Sequence, residues 1–253
     1  MRVLAIIPAR YASTRFPAKP LAVLGRRCII EWVYRAVSAA IDDVVVATDD
    51  RRIADAVEAF GGRVVMTSSE HRCGTERCAE ALLRVGQDYD VVINVQGDEP
   101  FVSAEQLRGL VAMFEDESVD IATLATPITE HEGVATLEDP NVVKVVMSQT
   151  GRALYFSRSP IPFVRGCSVE CAVAKGIYYR HVGIYGFRAS TLSEVVALEA
   201  SPLEQLESLE QLRWLDAGYN MKVGITHHRS IGIDTPEDLC RAEAMLADGY
   251  SEN

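Results

Sequence analysis

Short, nearly unbroken apolar runs recur through the first half of the chain: Val3–Ile7, Val44–Ala47, Val64–Met66, Val91–Val95 and Ile121–Ala125. A strand covered on one face alternates apolar and polar positions, whereas a strand covered on both faces does not, so these runs predict doubly buried strands. Segments of helical spacing lie between them. In Ile29–Ala40 the residues Ile29, Ile30, Val33 and Val37 fall on one side, and Arg52–Phe60, Thr75–Val85 and Ala104–Phe114 read the same way. Strand and helix in alternation predict parallel strands joined by right-handed crossovers, in a three-layer α/β sandwich.

After about residue 126 the rhythm changes. Val142–Met147, Ala153–Phe156 and Val182–Phe187 follow one another with no long helix between them, which predicts a mixed or antiparallel extension over about 126–190. Leu203, Leu206, Leu209, Leu212 and Leu215 then recur every third residue and predict one helix over Leu203–Asp216, followed by a strand near Lys222–Thr226 and a helix at Pro236–Ala247. No linker, repeat or low-complexity segment interrupts the chain, so 1–253 reads as one domain with an embedded subregion at about 126–190. In an open parallel sheet, ligands bind beyond the carboxyl ends of the strands, and the loops there are where chemistry is expected.

Composition narrows the choice of ligand. The 253 residues carry 25 Lys+Arg and 36 Asp+Glu, a net charge of −11, which disfavours nucleic acid or an anionic membrane as partner. The run Val3–Ile7 is too short for a signal or a membrane span and Pro8 ends it, so a cytosolic protein is expected. Six cysteines, at 28, 73, 78, 167, 171 and 240, lack the paired C-x2-C spacing of a zinc site. In a reducing compartment neither a metal nor a disulfide framework is expected.

Charge is distributed unevenly. Arg2, Arg10, Arg15, Lys19, Arg26 and Arg27 all precede the first acid, Glu31. Part of this basic segment is the long, proline-interrupted loop after the first strand, a place for an anion to bind against forked guanidinium and point-charge ammonium donors. Neither G-x-G-x-x-G nor G-x-x-x-x-G-K-[ST] occurs, which disfavours a dinucleotide enzyme or a Walker-type NTPase, and no G-x-S-x-G elbow is present. The strand Val91–Val95 runs into Gln96-Gly97-Asp98-Glu99-Pro100, placing Asp98 as a candidate magnesium ligand and Gly97 where a backbone can approach a ligand closely. Asp234, in Gly232-Ile233-Asp234-Thr235-Pro236, either completes a cation site or caps the following helix.

Several ordered blocks resemble the bacterial 3-deoxy-manno-octulosonate cytidylyltransferases, or CMP-Kdo synthetases. They are Arg10-Tyr11-Ala12-Ser13-Thr14-Arg15 with Lys19-Pro20-Leu21, Gly74-Thr75-Glu76-Arg77, Gln96-Gly97-Asp98-Glu99-Pro100, Tyr155 to Pro162, His181-Val182-Gly183-Ile184-Tyr185, Glu207 to Arg213 and Asp234-Thr235-Pro236. The resemblance implies a Rossmann-like nucleotidyltransferase sheet and a magnesium-dependent transfer of CMP from CTP to the sugar acid Kdo, releasing pyrophosphate, for lipopolysaccharide biosynthesis. It implies that Arg10, Ser13, Arg15 and Lys19 hold the triphosphate, that Gly74 and Thr75 lie by the cytosine, and that Asp98 and Asp234 bind magnesium. Lys19, Arg10, Arg15 and Asp98 are then the catalytic set, with Gln96 and Asp98 also in contact with the nucleotide. Gln96, Arg158, Arg165, His181, Tyr185, Glu210 and Gln211 form the implied sugar-acid pocket, and the resemblance further suggests a homodimer joined through the 126–190 region.

The residues themselves leave alternatives open. His181 and Tyr185 stand at strand spacing around apolar neighbours and could be packed core side chains, while Glu207 and Gln211 share an i,i+4 helix face that could be solvated. Ala18 stands where the family commonly has Gly before the Lys, so if that site needs a positive φ the loop is expected to bend differently here. Cys73 replaces a small hydroxyl residue by the implied cytosine, and Gly166–Tyr179 matches no block. Rival readings are a cytidylyltransferase for sialic acid or an amino analogue of Kdo, or a catalytically silent nucleotide-binding module.

Overall fold

The computed structural model describes residues 1–12, 16–86, 88–228 and 232–247. In chain order it runs through β1 (Val3–Ala9), the small hairpin β2 (Val23–Leu24) and β3 (Arg27–Cys28), α1 (Ile29–Ser38), β4 (Asp43–Thr48), α2 (Arg51–Ala59), β5 (Val64–Met66), α3 (Gly74–Val85), β6 (Val91–Asn94), α4 (Ala104–Ala112) and β7 (Ile121–Pro127). Then come α5 (Gly133–Glu138), β8 (Lys144–Met147), β9 (Ala153–Ser157), α6 (Val169–Ala174), β10 (Tyr179–Arg188), α7 (Ala189–Val195), α8 (Pro202–Glu207), α9 (Gln211–Asp216), β11 (Met221–Ile225) and α10 (Pro236–Ala247).

One sheet joins all the strands except the β2–β3 hairpin, in the order β11-β7-β10-β6-β1-β4-β5, with the β8–β9 ribbon attached beside β10. The expected α/β sandwich is present. β1 pairs in parallel with both β4 and β6, and β4 with β5, whereas β10 is antiparallel to both β6 and β7. Apart from the half-buried edge strand β5, the apolar runs are buried on both faces because helices cover both. One core gathers Ala5, Ile7, Val44, Val46 and Ile93 with side chains of α1, α2 and α4, and the other gathers Leu4, Ile6, Val45 and Val92 with side chains of α3, α7 and α9. Even and odd positions of β1 therefore feed opposite cores, as a period of two requires. A third, small cluster of Ile128, Leu137, Ala172, Val173 and Tyr178 sits under the extension.

Three expectations need correction. The helix predicted over Leu203–Asp216 is two short helices, α8 and α9, separated at Ser208, which takes the left-handed conformation with φ 52°. The leucine spacing continued across the break, but Leu206 is 82% exposed while Leu212 is fully buried, so the five leucines do not form one core stripe. Glu207 and Gln211 accordingly do not share a solvated face. The Glu207 carboxylate accepts from Ser157 Oγ at 2.6 Å and from the Arg158 backbone N–H at 2.9 Å, and Gln211 is buried. Cys167 and Cys171, against the expectation of no disulfide, are paired with Cα atoms 5.9 Å apart. Ser168 caps α6 and so turns the chain between them.

Ala18 does adopt positive φ, 57°, in the loop after β1. That conformation costs an alanine roughly 1–2 kcal/mol, and it is held by backbone bonds from Ala18 N–H to the Tyr11 carbonyl and from Leu21 N–H to the Ala18 carbonyl. The turn starts a single 3-10 turn at Lys19–Leu21, and this is what aims Lys19.

Candidate functional site

The chain leaves β1 for β4 on one side and later returns to place β6 on β1's other side. Crossovers therefore diverge at the carboxyl ends of β1 and β6, which opens a crevice between the loops that follow them. A cleft of about 270 Å³ lies there, lined among others by Pro8, Arg10, Lys19, Cys73, Gly74, Gln96, Asp98 and Asp234.

Three residues far apart in sequence meet in it. Lys19 Nζ donates to Asp98 Oδ2 at 2.5 Å and to Asp234 Oδ1 at 3.0 Å. Burial pulls the Lys19 pKa down, but the charges and hydrogen bonds of Asp98 and Asp234 outweigh it and leave the pKa raised, so the ammonium stays charged. Asp98 comes from the turn after β6 and Asp234 from the segment before α10. The alternative of Asp234 as helix cap is settled by its neighbours: Thr235 Oγ1 accepts from Asp238 N–H while the Asp238 carboxylate accepts from Thr235 N–H. That reciprocal pair caps α10 and leaves the Asp234 carboxylate to face Lys19.

Gly97 has a different reason from the one expected. A Cβ on it would stand 2.9 Å from the Pro8 carbonyl oxygen, so its missing side chain admits the backbone of β1 rather than a ligand. Gly74, at the start of α3, lies against Pro8 and the Gln96 side chain. Gln96 Nε2 in turn donates to Asn94 Oδ1 at 3.3 Å. Arg10 is exposed at the cleft's edge, and Ser13 and Arg15 lie outside the described residues.

The first turn of α3 is tied to α9 by one carboxylate. Glu210 accepts from Thr75 Oγ1 at 2.9 Å, from Cys73 Sγ at 3.1 Å and from Arg213 Nη2 at 3.1 Å. Burial first, and the Glu210 charge next, push the Cys73 thiol up to about 12, so it stays protonated and donates. Tyr185, buried against the edge of Trp214 at 5.1 Å between ring centroids, feels the same Glu210 charge. His181 stacks edge-on to Phe156 at 5.0 Å, lies 5.3 Å from Tyr185 and bonds Thr123 Oγ1 at 2.9 Å. Burial lowers its pKa to about 3, so the ring is neutral at pH 7. His181, Tyr185, Glu210 and Gln211 thus continue from the cleft along the α9 side of the sheet.

The two arginines expected in the sugar-acid pocket are placed differently. Arg158 is committed to backbone carbonyls, with Nε on Glu207 at 2.7 Å, Nη1 on Pro140 at 2.8 Å and Nη2 on Ser208 at 3.3 Å. It clamps the α8–α9 break to β9. Arg165 is exposed in the loop before α6. Arg77, to which no motif assigns a role, lines the cleft while nearly fully buried, donating to Thr67 Oγ1 at 2.6 Å and lying 3.4 Å from Asp49. Its signal was available: a cation on the face of α3 that also carries buried Cys78 and Ala81.

Residues 4–223 match the family model for cytidylyltransferases. Over 246 residues the chain is 55% identical to a 3-deoxy-manno-octulosonate cytidylyltransferase of Phocaeicola vulgatus, covering 97% of this chain and 98% of that one, and equally identical to one of Bacteroides thetaiotaomicron. A solved structure of a CMP:2-keto-3-deoxy-manno-octonic acid synthetase complexed with CTP superposes with a TM-score of 0.88 at 39% identity, over 98% of this chain and 99% of that one. A cytidylyltransferase structure from Leptospira borgpetersenii, 17% identical with a TM-score of 0.66, shares the fold. With near-complete coverage at such identity, and the Lys19–Asp98–Asp234 cluster at the sheet's switch point, the chain belongs to the cytidylyltransferase family, among its 3-deoxy-manno-octulosonate cytidylyltransferases.

Proposed function

We propose that this enzyme transfers CMP from CTP to the anomeric hydroxyl of Kdo, giving CMP-Kdo and pyrophosphate, as a cytosolic step of lipopolysaccharide biosynthesis. The observation that carries the reading is the convergence of Lys19, Asp98 and Asp234 in the cleft at the ends of β1 and β6. The sugar hydroxyl oxygen forms a bond to the α-phosphorus in line with the bond that breaks, and pyrophosphate departs. Positioning and charge neutralisation dominate such a transfer.

Lys19 and Arg10, with Arg15 and Ser13 from the same loop, neutralise and orient the triphosphate. Gly74 and Thr75 border the base, and Gln96, His181, Tyr185, Glu210 and Gln211 face the sugar acid; with Arg158 committed to backbone carbonyls, exposed Arg165 is the arginine left to meet its carboxylate. Asp98 and Asp234 already hold one cation between their oxygens, and hard carboxylate oxygens are the donors magnesium prefers. Bound there, magnesium supplies positive charge against the phosphates and acidifies the attacking hydroxyl. The 126–190 region, which exposes Leu154 and Phe163, is assigned to sugar binding and a homodimer contact. No described helix is long and apolar enough to cross a membrane.

Purified protein mixed with CTP, Kdo and magnesium is expected to release pyrophosphate, with sialic acid and an amino analogue of Kdo turned over more slowly. Asp98→Ala is expected to lose on the order of 3–4 kcal/mol of transition-state stabilisation, about 10² to 10³ in rate. Full activity in a folded Asp98→Ala protein refutes the metal assignment, and CTP binding without pyrophosphate release refutes the reaction.

A further inference from the structure

The ammonium of Lys19 occupies the space between the same two carboxylates that the proposed function assigns to magnesium, and it engages an oxygen of each, at 2.5 Å and 3.0 Å. A divalent cation bound by both acids competes with it, because the lysine and the metal seek the same two carboxylates and repel each other at such distances. The lysine is held there by its own stretch of chain: the left-handed Ala18 and the turn Lys19–Leu21 point it across the cleft, and its side chain is only 13% exposed. The metal site is also sparse. Among the described residues no group of three or more His, Cys, Asp or Glu side chains converges to hold a metal ion, so Asp98 and Asp234 stand as two acids without a third. A cation with six oxygen positions to fill gains little by replacing a lysine that already neutralises both acids.

We propose that Lys19 is a placeholder cation: without nucleotide it closes the Asp98–Asp234 pair to divalent metal, and a triphosphate opens the pair by drawing the ammonium onto its phosphate oxygens while supplying the ligands the protein lacks. Metal binding between the two acids is therefore conditional on nucleotide. The inference rests on the metal assignment made above and adds an order of events to it.

Electron paramagnetic resonance of Mn²⁺ tests this without turnover, since the free aqua ion gives a signal that is lost on binding. Wild type, Lys19→Met and Lys19→Met/Asp98→Asn are titrated without nucleotide, and wild type and Asp98→Asn are titrated with CTP and no sugar acid. Lys19→Met is expected to bind Mn²⁺ at least tenfold more tightly than wild type, a difference of about 1.4 kcal/mol. The added Asp98→Asn change is expected to abolish that gain, and CTP to restore tight binding in wild type. Equal nucleotide-free affinity in wild type and Lys19→Met overturns the placeholder, whether both bind tightly or both weakly. If Asp98→Asn with CTP binds Mn²⁺ as well as wild type with CTP, the metal assignment itself fails, so the two failures are told apart. Lys19→Gln, compared by circular dichroism and the same titration, guards against a folding defect in Lys19→Met.

Discussion

Replacing Gly97 by alanine tests the packing that sets the floor of the cleft. The added Cβ would stand 2.9 Å from the Pro8 carbonyl oxygen, with the Ala9 Cβ and Ile30 Cδ1 each at 3.6 Å behind it. Even a weak C–H···O contact keeps about 3.3–3.6 Å, so the overlap is a few tenths of an ångström against backbone, which cannot rotate away as a side chain tip can. Overpacking of this kind costs typically about 1–3 kcal/mol. In a chain of this size each kcal/mol moves the melting temperature by about 2–4 °C, so Gly97→Ala is expected to melt about 2–12 °C lower. The neighbouring residue is Asp98, and relief of the clash by lifting the turn carries its carboxylate away from Lys19. A misplacement of about 1 Å can cost 10²-fold in rate. Differential scanning calorimetry and pyrophosphate release measure the two effects. The sign is decisive, because glycine to alanine in open space stabilises by about 0.4–1 kcal/mol through the unfolded chain. An unchanged or higher melting temperature with full turnover shows that β1 does not press on this turn.

Two further outcomes follow from half-buried groups. His181 has a folded pKa near 3 against an ordinary 6.5, so the unfolded chain takes up the proton first as pH falls; the stability from keeping the ring neutral is full above pH 6.5 and is lost progressively down to about pH 3. Urea midpoints at pH 7.5 and pH 5 are expected to differ more for wild type than for His181→Gln, and equal differences refute the neutral ring. Cys73 is expected to resist a thiol-specific alkylating reagent at pH 8 while exposed Cys240 reacts, with peptide mass mapping as the readout; labelling of Cys73 in folded protein contradicts its bond to Glu210.

Much of this architecture was legible because the strands of a doubly covered sheet are largely apolar: Val3–Ile7 and Val44–Ala47 fall on β1 and β4, and Val91–Val95 overruns β6 by one residue. The α8–α9 break was not, because Ser208 carries no glycine signal for its positive φ and the leucine period runs straight through it. The short helices α5, α6 and α7 are too brief to show periodicity. Lys19, Asp98 and Asp234 were legible as motif residues, but their mutual contact is not a property of any one segment. Arg158 shows the opposite limit. Its partners are backbone carbonyls of Pro140, Glu207 and Ser208, and carbonyls leave no mark in a sequence. The reversed direction of β10 also hid part of the site, since an antiparallel strand brings its beginning, with His181, to the edge where its parallel neighbours end.

That same strand has a consequence for biosynthesis. Among the described residues β10 alone joins the β6 side to the β7 side of the sheet, and it is translated after both. While the ribosome is still upstream of Tyr179, β6 and β7 each present an unsatisfied row of amides along an apolar strand, the kind of edge through which nascent chains stick to one another. Slow decoding or a truncation within that interval is where aggregation of this polypeptide concentrates, and completion of one ten-residue strand covers the facing edges of β6 and β7 at once, the far edge of β7 waiting for β11.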